Sequence, residues 1–328
     1  MSQIKTLSQQ MRSAIGDATV RGQSKRSYAM AHDGKTDDRV FGNDYNRSLC
    51  DTARAVGNFI RENYPQIRLV REIRPEMLQA YLEYQARKGD TAETIEKTVS
   101  HIRKIDKIVT ARYGRTSWDP DRLHTPAGAV SAPVRDKVMD DRTYNALLGV
   151  MERSRGGAYK SIVLAHDGGL RVGETALVRS GQIKASGGRW GHGYIILEGK
   201  ADGTKGGRWR TVDIPSEEAK YRLLALQRGV PAGQPIVQKR DGGAYDKRSI
   251  LRAIDRALST LGISDEWKHN KDHALRKSFA QRCYDLCRSE GMTRDEAKSY
   301  VLGHQIGHGD ARGVKDPKTA QAYIANMW

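Results

Sequence analysis

The chain has 328 residues, and its 56 lysines and arginines exceed its 39 aspartates and glutamates, which gives a net charge of +17 and a pI near 9.8. Neither the start, MSQIKTLSQQMRSAIGD, nor any later segment has the apolar run of a signal peptide or a membrane span, so we expect a cytoplasmic protein. The three cysteines, Cys50, Cys283 and Cys287, lack the spacing of a disulfide framework, as expected in a reducing compartment.

The positive charge is spread along the whole chain. There are 22 basic and 16 acidic residues up to Val130, and 34 and 23 after it. A surplus in both halves indicates an extended polyanion that both halves contact, and nucleic acid is the first candidate. On composition alone, a basic enzyme without such a partner stays an alternative. The length permits two domains.

The first part of the chain is predicted to hold an arm and a small helical domain. Residues 1–42 are polar and lack a sustained apolar period, which favours a flexible basic arm with at most a weak helix. Residues 43–114 contain three helical patterns, of which the second opens at Pro75 and the third ends at Gly114. The apolar positions of the three patterns are Leu49, Ala53, Val56 and Ile60; Leu78, Tyr81 and Leu82; and Ile95, Val99, Ile102, Ile105 and Val109.

The second part is predicted to be mainly helical with one β-hairpin. Residues 115–136 carry proline, glycine and serine without periodicity and are interpreted as an interdomain linker. Residues 137–328 resume a helical pattern, which GYIILEG and RWRTVDIP interrupt on either side of the turn ADGTKGG. The predicted fold class is therefore mainly α with a small antiparallel β-sheet (α+β).

Three short stretches of the second domain carry ionisable residues of the types that act in catalysis. In GGLRVGE, Arg171 precedes Glu174 by three residues, and alone this is usually a surface ion pair. The hairpin turn carries Lys205, which alone is an ordinary solvated residue. HALRKSFA places His273 and Arg276 on one helix face, beside residues that point to the core. Two cations next to an apolar stripe require an anion between them.

The fourth and fifth features lie near the end of the chain. The helix TRDEAKSYVLGHQ begins with a capping box and carries His304 just past its glycine. Tyr323 follows nineteen residues later, in TAQAYIANMW. A tyrosine in such a place usually packs the terminus, and we expect Ile324 and Met327 to pack there in any case.

In this order the five features resemble the catalytic domain of the tyrosine recombinases, or phage integrases. The helical unit before them resembles that family's SAM-like, DNA-binding core-binding domain, so the resemblance extends from about residue 44 onward. It implies that two arginines grip a scissile phosphate, a hairpin lysine protonates the leaving 5′ oxygen, and a tyrosine attacks phosphorus. The implied catalytic residues are Arg171, Lys205, His273, Arg276, His304 and Tyr323, with Glu174 supporting the first arginine.

Physical chemistry agrees with these residue types. Preorganised guanidinium forks stabilise the charge that develops on the phosphoryl oxygens, and a phenol ionises more easily than an alcohol. The resemblance implies no metal or other cofactor. It further implies site-specific recombination of double-stranded DNA by a homotetramer, for integration or excision of a mobile element or for resolution of replicon dimers. Accessory factors can assist such a reaction.

The sequence departs from the family pattern in the spacing of its tyrosine, and it offers two candidates for the hairpin lysine. The tyrosine of most members follows the Leu-Gly-His motif much more closely than the nineteen residues seen here, so Tyr284 and Tyr300 have to be weighed as other nucleophiles. Both are expected to lie in packed helices. Lys200 competes with Lys205, which we prefer because TKGGRWRTVDIP runs from a basic turn into a strand that ends in proline.

Three other interpretations use the same residues. A type IB topoisomerase shares the nucleophile and the arginines, and a DNA-binding protein with a decayed site shares the fold. A zinc site would use pairs of ligands with helical spacing, but it leaves the arginines unexplained and no CxxC occurs. Its pairs are His269 and His273, Cys283 and Cys287, and His304 and His308. The two later cysteines are better interpreted as core residues.

Overall fold

The computed structural model describes residues 5–131, 137–153, 156–204, 207–239, 241–243, 245–267, 271–307 and 322–325. The chain divides into two compact units, Met1–Ala132 and Pro133–Trp328. Within the described ranges, no helix combines the length and the apolar character needed to cross a bilayer.

The first unit is helical, and each predicted helical pattern forms a helix. Its elements are α1 Leu7–Asp17, β1 Thr19–Val20, α2 Lys25–Ala31, β2 Val40–Phe41, α3 Asn43–Asn63, α4 Pro75–Arg87 and α5 Ala92–Tyr113. The two short strands pair in parallel. The predicted apolar faces of α3, α4 and α5 meet in one core, in which Ile60, Leu78 and Ile102 are fully buried.

The prediction of a flexible arm is wrong over α1. Leu7, Met11 and Ile15 are buried in the same core as the three later helices, and a capping box fixes the start of α1. The helix lies so close to α3 that a Cβ atom at Gly57 would stand 2.6 Å from the backbone nitrogen of Ser8. The apolar residues of α1 span only about three turns, and polar residues stand between them. The polar composition of the segment as a whole therefore concealed the helix.

The predicted linker also begins too early. Trp118 is fully buried in the core of the first unit, where its indole nitrogen donates to the carbonyl of Val70 at 2.7 Å. Leu123 is buried in the same core. A buried indole needs a hydrogen-bond acceptor, and this one has it, so residues 118–123 belong to the first unit.

The second unit is mainly helical around a small sheet. Its elements are α6 Asp141–Glu152, α7 Gly157–Asp167, α8 Val172–Thr175, β3 Ile183–Lys184, β4 Tyr194–Glu198, β5 Trp209–Asp213, α9 Glu217–Gln227, α10 Lys247–Thr260, α11 Ser264–Trp267, α12 Lys271–Ser289 and α13 Arg294–Ser299. The strands form an antiparallel sheet in the order β3-β4-β5. The predicted hairpin and the predicted fold class are confirmed.

The packing of α12 sets the turn that follows α7. Leu275 and Phe279 are fully buried, as predicted, together with Cys283 and Cys287. Gly169 in the turn has a φ of +59°, and a Cβ atom there would collide with the ring of Phe279. Only glycine fits this turn, which carries the chain directly from α7 to Arg171 at the start of α8.

Candidate active site

Arg171 is held by one carboxylate at the start of α8. It is the residue before the first helical turn, its backbone nitrogen donates to Glu174 Oε2 at 2.8 Å, and its Nη1 donates to Glu174 Oε1 at 2.8 Å. Its Nη2 donates to the carbonyl of Ile306 at 3.2 Å. The side chain is still 22% exposed, so Arg171 is fixed in place and remains accessible to an anion.

Arg276 converges on the same two acceptors from α12. Its Nη1 donates to the carbonyl of Gly169 and lies 3.5 Å from Glu174 Oε2, and its Nη2 donates to the carbonyl of Ile306. Burial and the charge of Arg171 lower the pKa of Arg276, although a guanidinium stays protonated in proteins. Its Nε is buried and has no hydrogen-bond partner in the described part of the chain. Glu174 thus supplies a negative charge beside the buried Arg276, while an anion between Arg276 and His273 stays a prediction.

Glu174 holds a third arginine, Arg210 of β5. The nitrogens Nη1 and Nη2 of Arg210 lie 3.0 and 2.8 Å from the two oxygens of the fully buried carboxylate. Burial by itself would raise the pKa of Glu174, but hydrogen bonds from Arg210 and the charges of Arg276, Arg210 and Arg171 outweigh it and lower the pKa to about 2. One carboxylate among three guanidiniums leaves a surplus of positive charge for an incoming anion.

Sequence reasoning missed Arg210, although a signal was present. Successive side chains of a strand point to opposite faces, so Arg210 shares the inward face of β5 with Val212. Both are buried. An arginine at an inward strand position requires a buried carboxylate, because a lone buried charge is too costly.

Tyr323 lies against the arginine and histidine of α12. Its ring centroid is 4.6 Å from that of His273, and the guanidinium carbon of Arg276 lies 5.9 Å from the centre of the tyrosine ring. Tyr323 is only 7% exposed, and Ile324 is fully buried as predicted. Met327 and residues 308–321 lie outside the described residues. The long separation in sequence therefore does not keep Tyr323 away from Arg276.

His304 is placed differently. Its Nε2 is 3.5 Å from Asp213 Oδ2 and 3.5 Å from Thr211 Oγ1, and its ring stacks on Tyr300. Thr211 and Asp213 occupy the alternate positions of β5, on the opposite face from Arg210. The helix does not stop at the expected glycine, because a π-helical turn, Tyr300–Gln305, continues α13 and carries His304. A catalytic role for His304 stays a prediction.

The two other tyrosines near the motifs have environments that disfavour attack. The hydroxyl of Tyr300 donates to Asp213, and burial together with that carboxylate raises the pKa of Tyr300. Burial alone would raise the pKa of Asp213, but hydrogen bonds from His304, Tyr300 and Gln305 lower it to about 2. Tyr284 is fully buried in α12. A nucleophile has to ionise, which the raised pKa of Tyr300 opposes, and Tyr323 has the further advantage that it lies beside Arg276.

Some candidate residues for the hairpin lysine and for a zinc site lie outside the described residues. Lys205 lies outside the described residues. Lys200 is exposed in a 3₁₀ turn, Gly199–Asp202, that follows β4, so both lysines belong to the connection between β4 and β5. Within the described ranges no three metal-ligating side chains are grouped to hold an ion; His269 and His308 fall outside those ranges.

Comparison with known proteins gives similarity in structure alone. The sequence matches no protein-family model and no curated protein. A lambda integrase tetramer bound to a Holliday junction superposes with a TM-score of 0.61 at 16% identity, covering 94% of this chain and 80% of that one. The Tn1549 transposon integrase in complex with a circular intermediate DNA gives 0.55 at 14% identity, with 98% and 95% covered. The XerH site-specific recombinase bound to its difH substrate gives 0.58 at 12% identity, with 97% and 90% covered. This chain has the fold of the tyrosine recombinases.

Proposed function

We propose that the protein is a site-specific DNA recombinase that cleaves and rejoins strands through a 3′-phosphotyrosyl intermediate on Tyr323. One observation carries the proposal: Tyr323 lies beside His273 and Arg276, while Arg276 shares its acceptors with Arg171. Attack on a phosphodiester requires a tyrosine beside preorganised guanidiniums, and here Tyr323 lies beside Arg276, which is held together with Arg171.

The reaction follows from the chemistry of these groups. The hydroxyl oxygen of Tyr323 attacks phosphorus, a P–O bond to tyrosine forms, and the bond from phosphorus to the 5′ oxygen breaks. The phenolic proton passes to His273, and the hairpin lysine, Lys205 or else Lys200, protonates the leaving 5′ oxygen. Arg171 and Arg276 stabilise the added charge on the phosphoryl oxygens. A new 5′ hydroxyl reverses the step, so the reaction needs no cofactor.

Double-stranded DNA with specific recombination sites is the proposed substrate. The structural neighbours include DNA complexes and a tetramer on a Holliday junction, and the net charge of +17 suits a polyanion. We propose that four protomers act on two sites, and that the task is integration or excision of a mobile element. Because phosphate contacts release counterions, DNA affinity should fall steeply with salt.

Covalent trapping tests the proposal. Nicked suicide duplexes from the ends of the protein's own element are incubated with the full chain, and a covalent complex is sought on a denaturing gel. The wild type should form the complex, Tyr323→Phe should not, and Tyr221→Phe, at a tyrosine 66% exposed elsewhere in the unit, should form it normally.

Each other result points to a different conclusion. A complex with Tyr323→Phe shows that another residue is the nucleophile. DNA binding without any complex, even for the wild type, indicates a binding protein with an inactive site. Relaxation of supercoiled DNA without paired specific sites indicates a topoisomerase.

A further inference from the structure

Arg210 binds both oxygens of the buried carboxylate at the centre of the site through its guanidinium alone. Its two terminal nitrogens bind different oxygens of Glu174, at 3.0 and 2.8 Å. The Arg210 side chain is only 8% exposed, and its Nε is buried without a hydrogen-bond partner in the described part of the chain. Arg210 and Glu174 thus form a bidentate ion pair, which we call the lock. A lysine cannot reproduce it, because an ammonium group is a point charge.

The lock ties the hairpin to the first arginine. Arg210 pairs with Leu197 in the register of β4 and β5, and it is the first inward residue of β5 after the hairpin connection. At the other end of the lock, Glu174 binds both the backbone nitrogen and the side chain of Arg171. Arg210 and Glu174 therefore form a direct side-chain link between the hairpin and Arg171.

Arg210 also contacts the turn at Gly307, which precedes Tyr323 in the chain. Gly307 has a φ of +61°, and a Cβ atom there would lie 3.2 Å from Cδ and 3.3 Å from Nη1 of Arg210. The backbone approaches the guanidinium this closely only because residue 307 is a glycine. Three pieces of the site thus meet at Arg210: strand β5, the carboxylate of α8, and the turn at Gly307.

We propose that Arg210 is a positioning residue for strand cleavage, which locks β5 onto Glu174 and so sets the reach of the hairpin lysine to the leaving 5′ oxygen. The inference rests on the proposed recombinase function. It holds for either Lys205 or Lys200, because both belong to the same hairpin connection. Arg210 acts through these groups, because Glu174 engages both of its terminal nitrogens.

The expected effect is a loss of leaving-group protonation. Misplacement of a catalytic group by about 1 Å costs roughly 100-fold in rate, within the range of 100-fold to 10,000-fold that a general acid contributes. Arg210→Met removes the fork and the charge at similar length. Arg210→Lys keeps a positive charge beside Glu174, so the carboxylate is not left unpaired, but it cannot bind both oxygens.

A pair of substrates separates this role from a general structural one. One suicide duplex has the natural 5′ oxygen at the scissile bond, and the other has sulfur there, which leaves as a stable thiolate without a proton. Both variants should cleave the oxygen substrate about 100-fold more slowly than the wild type, but the sulfur substrate less than about tenfold more slowly. DNA binding by gel shift should be unchanged.

Arg222 supplies a matched control. It binds the fully buried Asp167 through two nitrogens, at 2.6 and 3.0 Å, as part of the same unit. Arg222→Met should slow the oxygen and sulfur substrates by the same factor, whatever its effect on stability. If the Arg210 variants also slow both substrates equally, or if Arg210→Lys cleaves the oxygen substrate at the wild-type rate, the inference is overturned. If the wild type cleaves neither substrate, the recombinase function fails and the inference falls with it.

Discussion

Replacing Glu174 with glutamine tests whether this carboxylate holds the arginine cluster together. Folding moves the pKa of Glu174 from an ordinary value of 4.5 to about 2. A tenfold change in an ionisation constant corresponds to about 1.4 kcal/mol, so the folded state favours the charged carboxylate by about 3 kcal/mol at neutral pH. Removing one member of a buried charge cluster costs about 3 to 5 kcal/mol, because the remaining charges lose their partner. Glu174→Gln should therefore lower the free energy of unfolding of the second unit by about 3 kcal/mol at pH 7.

The pH dependence gives a second, independent check. Because the folded pKa lies below the unfolded one, the stabilisation is complete above pH 4.5 and is lost as the pH falls toward 2. The difference between the wild type and Glu174→Gln should shrink by about 2 kcal/mol between pH 7 and pH 3.

The free energy of unfolding of the second unit can be measured by urea unfolding with pulsed hydrogen exchange. Peptides from α7 report on this unit alone. Glu217→Gln is the control, because Glu217 pairs with Lys220 and His192 in partly exposed contacts that salt and water screen. It should leave the α7 transition where it is in the wild type. Equal unfolding midpoints for the wild type and Glu174→Gln at pH 7 would refute the reasoning.

Two further predictions concern the core of each unit. Met11 of α1 is fully buried, so Met11→Ala should destabilise the first unit by about 2 to 5 kcal/mol in thermal unfolding; no change would mean that α1 does not belong to this core. In the second unit, burial and the charge of Arg282 lower the pKa of His166 against the opposing effect of Asp167, so stability should be complete above pH 6.5 and fall below it as the unfolded state takes up the proton. His166→Phe should lose less stability than the wild type between pH 7 and pH 5.5 in urea unfolding, and an equal loss would contradict this prediction.

Much of the fold could be predicted from the local periodicity of apolar residues. The apolar stripes of α3 and α5 repeat every three or four residues over several turns, α4 opens at Pro75, and the hairpin strands alternate on either side of a glycine-rich turn. Such patterns reflect which side of an element is buried, so they can be recognised without knowing what covers that side. Periodicity does not identify α1, whose stripe is shorter than those of α3 and α5, or Trp118, which is a single buried residue in an aperiodic segment.

The candidate site divides in the same way. The order of its motifs along the chain was sufficient to select Arg171, Glu174, His273, Arg276 and Tyr323 for attention. Sequence order does not contain distances, however. The alternation of β5 marks Arg210 as an inward arginine but does not say which carboxylate it binds, and nothing in the sequence places His304 beside Asp213.

The sequence by itself determined the helices α3, α4 and α5 and the hairpin of β4 and β5, the charge of the chain, and the residue types available for phosphoryl chemistry. Only the tertiary structure decided that Arg210 joins Glu174, that Tyr323 lies against His273, and that His304 faces the other side of β5. The physical reason is that these contacts join residues far apart in the chain. They depend on strand register and helix packing, which no local period encodes.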